Sequence, residues 1–181
     1  MTNEPTSSAP TADGDTADLR ATGARTFDEA RFKEALGHFA TGVTVVTAME
    51  EGAPVGFTCQ AFTSLSLDPP MVALAPAKSS TSWPRIAQAG SFCVNILESR
   101  QEALCRSFAV SGGDKFTGVG WHPGSTGSPV LEGALAWIDC RLGLIHDAGD
   151  HELVIGHVVE LGVGEGVPLL FYRGGFGQFS A

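Results

Sequence analysis

The sequence predicts a mainly β domain with a few short helices, arranged as a small antiparallel barrel. Three observations carry this. Short apolar, β-branched runs such as VTVVTA (43–48) and SFCVNIL (91–97) recur at close spacing between turn residues. Glycine is frequent, at 23 residues, and charged residues make up only 17%, a balance that suits a turn-rich sheet better than a helical bundle. Helix-start signals are few and lead into short periodic segments. At 181 residues and 43% apolar, the chain is long enough for one domain with a real core.

Residues 1 to 25 are rich in Thr, Ser, Ala, Asp, Gly and Pro and read as a disordered tail, which leaves 26–181 as the folded domain. The tail carries net −2, so −7 of the formal −9 stays with the domain. Thr26-x-x-Glu29 has capping-box spacing, and Phe32, Leu36, Phe39 and Ala40 follow at helical intervals to a stop near Gly42. His38 on this helix reads either as a surface residue or as one pointing towards the ligand-binding end. Val43 to Ala48 is β-branched and too short for a helix, hence a buried strand. Glu50-Glu51-Gly52 turns the chain. Pro54 to Phe62 returns as its hairpin partner, and Thr63 to Leu67 continues extended, supplying the hydroxyls of Thr63, Ser64 and Ser66.

Pro69-Pro70 cannot continue a central ladder, because neither residue has an N–H to donate. Met71 to Ala75 is another buried strand. Ser and Thr residues followed by Pro84 and then Gly90 bracket a short helix over about 82–89. Asn95 interrupts the apolar strand 91–97 and needs a partner if buried. Ser99-x-x-Glu102 is a second capping box, for a helix carrying Leu104, Phe108 and Ala109 that ends before Gly112-Gly113. Asp114-Lys115-Phe116 lies in a loop, and 121–129 is irregular. The remaining strands fall at about 134–145, 151–160 and 168–172.

The formal charge of −9 argues against a nucleic-acid or anionic membrane partner and requires any phosphate to be met by a local patch. Cys59, Cys93, Cys105 and Cys140 are scattered, with no C-x-x-C and no histidine at metal spacing, so no metal is expected. No apolar run approaches a membrane span and no signal-peptide h-region is evident. The expectation is a reduced, cytoplasmic protein.

The chain is organised around GFTCQAFTSLSLDPP (56–70), followed by MVALA and the polar turn KSSTSWP. A strand end, a hydroxyl-rich corner and a turn opening a helix suit a flat, phosphorylated cofactor held along exposed backbone. Lys78, Ser79, Ser80, Thr81 and Ser82 with the N–H groups that follow make either an anion site or a plain serine-rich cap. HDAGDH (146–151) reads as a metal or acid–base pair or as a β-turn using Asp and Gly in their usual roles. The aromatics and cation of LFYRGGF (170–176) either stack on a planar ligand or close the barrel. There is no G-x-S-x-G nucleophile elbow and no G-x-G-x-x-G, so no Rossmann domain is implied.

In order, FATGVTVVT, PVGFTCQAFTSLSLDPPMV, KSSTSW, FCVNIL, DKF, GSPVLEGALAWIDC, HDAGDHELVIGHV and PLLFYRGGF resemble the short-chain NAD(P)H:flavin oxidoreductases, the reductase components of two-component flavin-dependent monooxygenases, over about residues 27 to 179. The resemblance implies a flavin-binding split barrel, six-stranded and of Greek-key type, working as a homodimer. It implies hydride transfer from NAD(P)H to FAD or FMN, with reduced flavin released to a partner monooxygenase; the lack of a clear Arg cluster for a 2′-phosphate leans towards NADH over NADPH. Thr58, Cys59, Gln60, Ala61 and Phe62 would then run beside the isoalloxazine edge, with Thr41, Ser64 and Ser66 near the ring or ribityl chain and Asn95 also on the cofactor. The family commonly has Asn-Ser where this chain has Gln60-Ala61, so a hydroxyl contact is lost there. Lys78 and Ser79 to Ser82 match the phosphate turn, where the family often has Arg in place of Thr81, so Lys78 or Lys115 would supply the charge. Phe116 matches the aromatic beside the flavin or its adenine. His151 matches a positioning histidine near flavin and nicotinamide, and Tyr172 and Arg173 match the closing motif. No residue acts as nucleophile, because the hydride passes directly between cofactors. Two alternatives stand beside this reading: a flavin-dependent oxidase acting directly on a small molecule, and a non-catalytic flavin or haem carrier.

Overall fold

β2 (Thr44–Glu50) is the strand from which the rest hangs, and it is buried on both faces. In the computed structural model, which describes residues 26–180, Val46 and Ala48 point into one core while Val45 points into another with Val43. That double burial explains why VTVVTA is apolar without alternation. The expected tail over 1–25 lies outside the described residues.

The chain before β2 forms α1 (Glu29–Gly37) and β1 (Thr41–Gly42). The helix cap lies two residues later than Thr26 suggested. Asp28 is the cap, its carboxylate accepting from the Arg31 N–H at 2.8 Å. After β2 come β3 (Ala53–Cys59), β4 (Phe62–Leu67), β5 (Pro70–Leu74), α2 (Trp83–Ala89) and β6 (Ser91–Ile96). A 3₁₀ turn (Ser99–Gln101) leads into α3 (Glu102–Ala109). Here the capping box is Glu98 with Gln101, not Ser99 with Glu102. β7 (Trp121–Pro123), β8 (Pro129–Leu131), the long hairpin β9 (Ala136–Ala148) and β10 (His151–Val163), β11 (Leu169–Tyr172) and β12 (Gly175–Gln178) complete the described chain.

The main sheet is antiparallel with strand order β3-β2-β6-β9-β10-β5-β4. Its two edges, β3 and β4, are consecutive in sequence and joined only by Gln60 and Ala61. Two residues span at most about 11 Å, so the sheet must curl until its edges meet at that corner. The extended run expected from Pro54 to Leu67 is broken there, where the Phe62 N–H turns back onto the Gln60 carbonyl at 3.0 Å. One expected strand thus becomes two, one at each edge. The hydrogen-bonded order is seven strands with no ladder recorded between β3 and β4 among the described residues, in place of the six-stranded barrel expected. β1-β11-β12 and β7-β8 form two small additional sheets.

The first core lies inside the curl, where Phe57, Leu74, Phe92 and Val154 pack under Trp83 and Ile86 of α2. The second lies between β2 and α3, around Leu97, Cys105, Phe108, Leu131 and Leu169. Asn95 is fully buried at the β2–β6–β8 junction. Its Nδ2 donates to Val45 O (3.2 Å), Thr47 Oγ1 (3.1 Å) and Pro129 O (3.3 Å), and its Oδ1 accepts from the Leu131 N–H at 2.8 Å. The expectation that Asn95 touches a cofactor is corrected by this placement: every polar atom of the side chain is spent on joining strands.

Candidate functional site

The corner opens onto a cavity of about 920 Å³. One wall is the corner itself, Phe57 to Thr63; a second is the end of β5 and the turn after it, Ala73 to Ala77 and Ser79 to Ser82. Phe108 to Ser111 at the end of α3, Lys115, His151 and Leu153 close it, and Leu36, Phe39 and Thr41 rim it.

At the corner, side chains bond within the fold: those of Thr44 and Thr58 from inside it, that of Gln60 along the exposed rim. Thr58 Oγ1 donates to the Cys105 carbonyl at 2.6 Å. Thr44 Oγ1 donates to the Cys59 carbonyl at 2.7 Å, and Gln60 Nε2 donates to Thr41 Oγ1 at 2.8 Å. Cys59 is buried, and burial pushes its thiol up to about 11, so it is neutral. What this wall offers a ligand is main chain. No protein acceptor is recorded for the N–H groups of Gln60 or Ala61 among the described residues.

The turn is built the opposite way. Its backbone is pinned to the β9–β10 hairpin tip: Lys78 N–H donates to Asp150 O and Glu152 N–H to Pro76 O, both at 3.0 Å, and Ala77 bridges His151. Trp83 Nε1 donates to Glu152 Oε2 at 2.5 Å, which locks the start of α2 to the same hairpin. Ser82 holds the N-cap position without a side-chain bond, and Ser80 Oγ instead accepts from the Trp83 N–H at 3.1 Å. The hydroxyls of Ser79 and Thr81 are exposed and have no protein partner recorded among the described residues. The HDAGDH stretch is a hairpin turn, with Gly149 at φ 76° and Asp147 Oδ1 accepting from the Gly149 N–H at 3.3 Å.

Two cations stand near this cavity. Lys115 Nζ donates to the carbonyls of Gly56 (3.2 Å) and Phe108 (3.1 Å), and burial lowers its pKa. Lys78 does not line the cavity itself; its Nζ is held by Asp147 Oδ2 at 2.5 Å and Gly149 O at 2.7 Å. His151 Nδ1 lies 2.8 Å from Asp150 Oδ1, a bond that lowers the Asp150 pKa.

The cavity therefore gathers Thr41, Thr58, Cys59, Gln60, Ala61, Phe62, Ser79, Ser80, Thr81, Ser82, Lys115 and His151 from the residues the sequence singled out. Others lie elsewhere. Ser64 and Ser66 flank a bulge on β4 beyond the cavity wall. Phe116 packs edge-on to Phe108 (5.0 Å) and Trp121 (6.4 Å), which spends its ring in the second core. Tyr172 stands edge-on to His38, whose Nδ1 is 2.9 Å from the Glu34 carbonyl on the surface of α1. Arg173 lines an adjoining cavity of about 570 Å³ that shares Leu36, Phe39 and Gln60 with the first. Phe57 and the α3 end Phe108–Ser111 were not expected to line the site. The Gly112-Gly113 stop was the only signal that the end of α3 lies open.

A family model described as a flavin reductase like domain matches residues 36–180. The chain is 51% identical over 152 residues to a flavin reductase of Pseudomonas putida, covering 83% of this chain and 89% of that one. It is 48% identical over 155 residues to HsaB, the reductase subunit of a flavin-dependent monooxygenase of Rhodococcus jostii (strain RHA1), covering 85% and 80%. The FMN reductase (NADH) SmoA of Agrobacterium fabrum is 43% identical over 149 residues, covering 82% and 85%. Among solved structures, a homologue of nitrilotriacetate monooxygenase component B from Mycobacterium thermoresistibile superposes with a TM-score of 0.81 at 46% identity, covering 83% and 86%. The NADH:FAD oxidoreductase SgcE6 of Streptomyces globisporus, in complex with NAD and FAD fragments, superposes with a TM-score of 0.79 at 34% identity, covering 84% and 93%.

Proposed function

We propose, on the premise that the chain belongs to the flavin reductase like domain family, that the corner cavity is where a reduced nicotinamide dinucleotide meets a flavin. The protein is an NAD(P)H:flavin reductase using FAD or FMN, with NADH as the hydride donor. The single observation that carries the placement is the corner: Gln60 and Ala61, whose N–H groups have no protein acceptor recorded among the described residues, line a cavity whose volume lies in the upper part of the usual small-molecule range of roughly 300–1,000 Å³.

The residues fit the group. The Gln60 and Ala61 N–H groups suit the polar edge of an isoalloxazine, while Phe57, Ala73 and Leu153 offer apolar surface to a flat ring. Ser79, Thr81 and Lys78 suit the phosphate, and Lys115 adds a second positive charge to the wall. The cofactors supply the redox step, a hydride passing from nicotinamide to flavin. The protein's part is to hold both rings in register, which is worth up to about 7–11 kcal/mol when a bimolecular step becomes a local one. His151, fixed by Asp150 at the cavity edge, positions rather than reacts.

The curled sheet is read as the flavin-binding split barrel, within one flavin reductase-like domain over 26–181 that works in the cytoplasm. No helix among the described residues is long and apolar enough to cross a membrane. A homodimer is supported by α1, none of whose residues is buried among the described residues. Its Leu36 is 56% exposed, and Phe39 just beyond it 75%, both at the cavity rim, and an apolar stripe of this kind calls for cover. Reduced flavin would leave for a partner monooxygenase, a reading supported by the HsaB relative's being named the reductase subunit of a flavin-dependent monooxygenase. The test is direct. Purified protein mixed with NADH and FMN, FAD or riboflavin should consume the nicotinamide absorbance near about 340 nm. No loss with any of the three overturns the reading.

A further inference from the structure

Lys78 carries an internal rival for the anion its turn is placed to meet. Its ammonium sits 2.5 Å from Asp147 Oδ2 and 2.7 Å from Gly149 O, both on the β9–β10 hairpin tip. The turn does not need that pair. Backbone bonds from Lys78 and Glu152, the Ala77–His151 bridge and the Trp83–Glu152 bond already fix the turn to the hairpin. The ion pair is also exchangeable, because the Lys78 and Asp147 side chains are 38% and 73% exposed. Pairs this open are weak and are displaced by a competing anion. On either side of Lys78, Ala77 and Ser79 line the cavity, and the Ser79 and Thr81 hydroxyls are available to accept a ligand.

We propose that Asp147 is a specificity-determining residue that competes with the ligand's phosphate for Lys78. It thereby holds down affinity for phosphorylated flavins without affecting the ring. The inference rests on the flavin reading above and deepens it: the carboxylate makes the flavin an exchanging substrate instead of a resident group. When the phosphate arrives, Lys78 Nζ leaves Asp147 Oδ2 for a phosphate oxygen, and Asp147 Oδ1 keeps the Gly149 N–H. No bond is made or broken.

The experiment is calorimetric titration of the full-length protein with oxidised FMN and, separately, with riboflavin, which lacks the phosphate. Asp147→Asn keeps an acceptor for the Gly149 N–H and so preserves the hairpin turn while removing the charge. It should tighten FMN by about three- to tenfold and leave riboflavin unchanged. On a Lys78→Met background, which itself weakens FMN, Asp147→Asn should add much less. Glu165→Gln removes an exposed carboxylate at the far end of the hairpin and should tighten neither flavin, separating local rivalry from the general relief of net charge. Unchanged FMN affinity in Asp147→Asn overturns the inference alone, as does an equal gain for riboflavin or an equal gain in Glu165→Gln. Failure of the wild-type protein to bind either flavin overturns the flavin reading and this inference with it.

Discussion

The two walls of the cavity divide their labour in opposite ways. At the Gln60–Ala61 corner the side chains hold the fold, through Thr58 to Cys105, Thr44 to Cys59 and Gln60 to Thr41, and the main-chain N–H groups of Gln60 and Ala61 have no protein acceptor recorded among the described residues. At the Ala77–Ser82 turn the main chain holds the fold, through Lys78 to Asp150 and Glu152 to Pro76, and the Ser79 and Thr81 side chains are exposed. The difference predicts how each wall fails. Substitution at the corner should unfold the protein before it changes recognition. Substitution in the turn should change recognition and leave stability alone.

Asn95 is the most demanding case on the structural side. Asn95→Ala leaves the Leu131 N–H without its acceptor and empties a fully buried site joining three strands. A buried group left unpaired costs about 1–3 kcal/mol and the cavity adds to that, so a loss of roughly 3 kcal/mol or more is expected in urea unfolding. The folded fraction should bind FMN as the wild type does. A flavin defect at unchanged stability would return Asn95 to the ligand. Thr58→Val is milder. It strips the Cys105 carbonyl of a part-buried donor and should cost about 1–3 kcal/mol, with FMN and riboflavin affinity moving together because no phosphate is involved.

The same division governs what could be read from the sequence. The strand runs at 43–48, 71–75 and 91–97, the helix over about 82–89 and the Lys78–Ser82 turn were legible because apolar runs, prolines and serines state local preferences directly. The corner was legible as composition but not as geometry. Nothing in TCQAF announces that Thr58 looks inward to α3 or that Gln60 and Ala61 separate the two edges of one sheet. Those facts depend on contacts between residues 58 and 105 and between 62 and 74, which no local pattern encodes. β1 and β12 were missed because a two-residue strand and the run GFGQ carry almost no strand signal. The caps slipped by one or two residues where two polar candidates lay close together: Asp28 outdid Thr26, and Glu98 outdid Ser99. Asn95 was flagged as needing a partner, and it found one in the fold instead of a ligand.

On the recognition side, the Ser79→Ala/Thr81→Ala double variant removes two hydroxyls that have no protein partner recorded among the described residues, so urea unfolding should shift by no more than about 0.5 kcal/mol. FMN binding should weaken by about 1 kcal/mol, some fivefold, with riboflavin unaffected. Equal weakening of both flavins would mean that the turn holds the ring, and the contrast between the walls would collapse.

The smallest effect is expected at Cys59, the one thiol that lines the cavity. Burial raises its pKa to about 11, against 9.0 for the unperturbed thiol. At pH 8 the thiolate is then about one part in a thousand, and iodoacetamide should leave Cys59 untouched in the native protein while labelling all four cysteines after denaturation. The sign of the linked stability follows. The folded state keeps the proton that the unfolded chain gives up, so the contribution is constant below about pH 9 and is lost as pH rises towards about 11. Cys59→Ser should therefore show the same change in unfolding midpoint as the wild type between pH 7 and 8, and lose stability less steeply than the wild type between pH 9 and 11. Rapid labelling of native Cys59 at pH 8 would mean that the corner opens on its own. A wall that opens cannot hold main-chain donors in fixed register for a ring, and it would then behave like the turn.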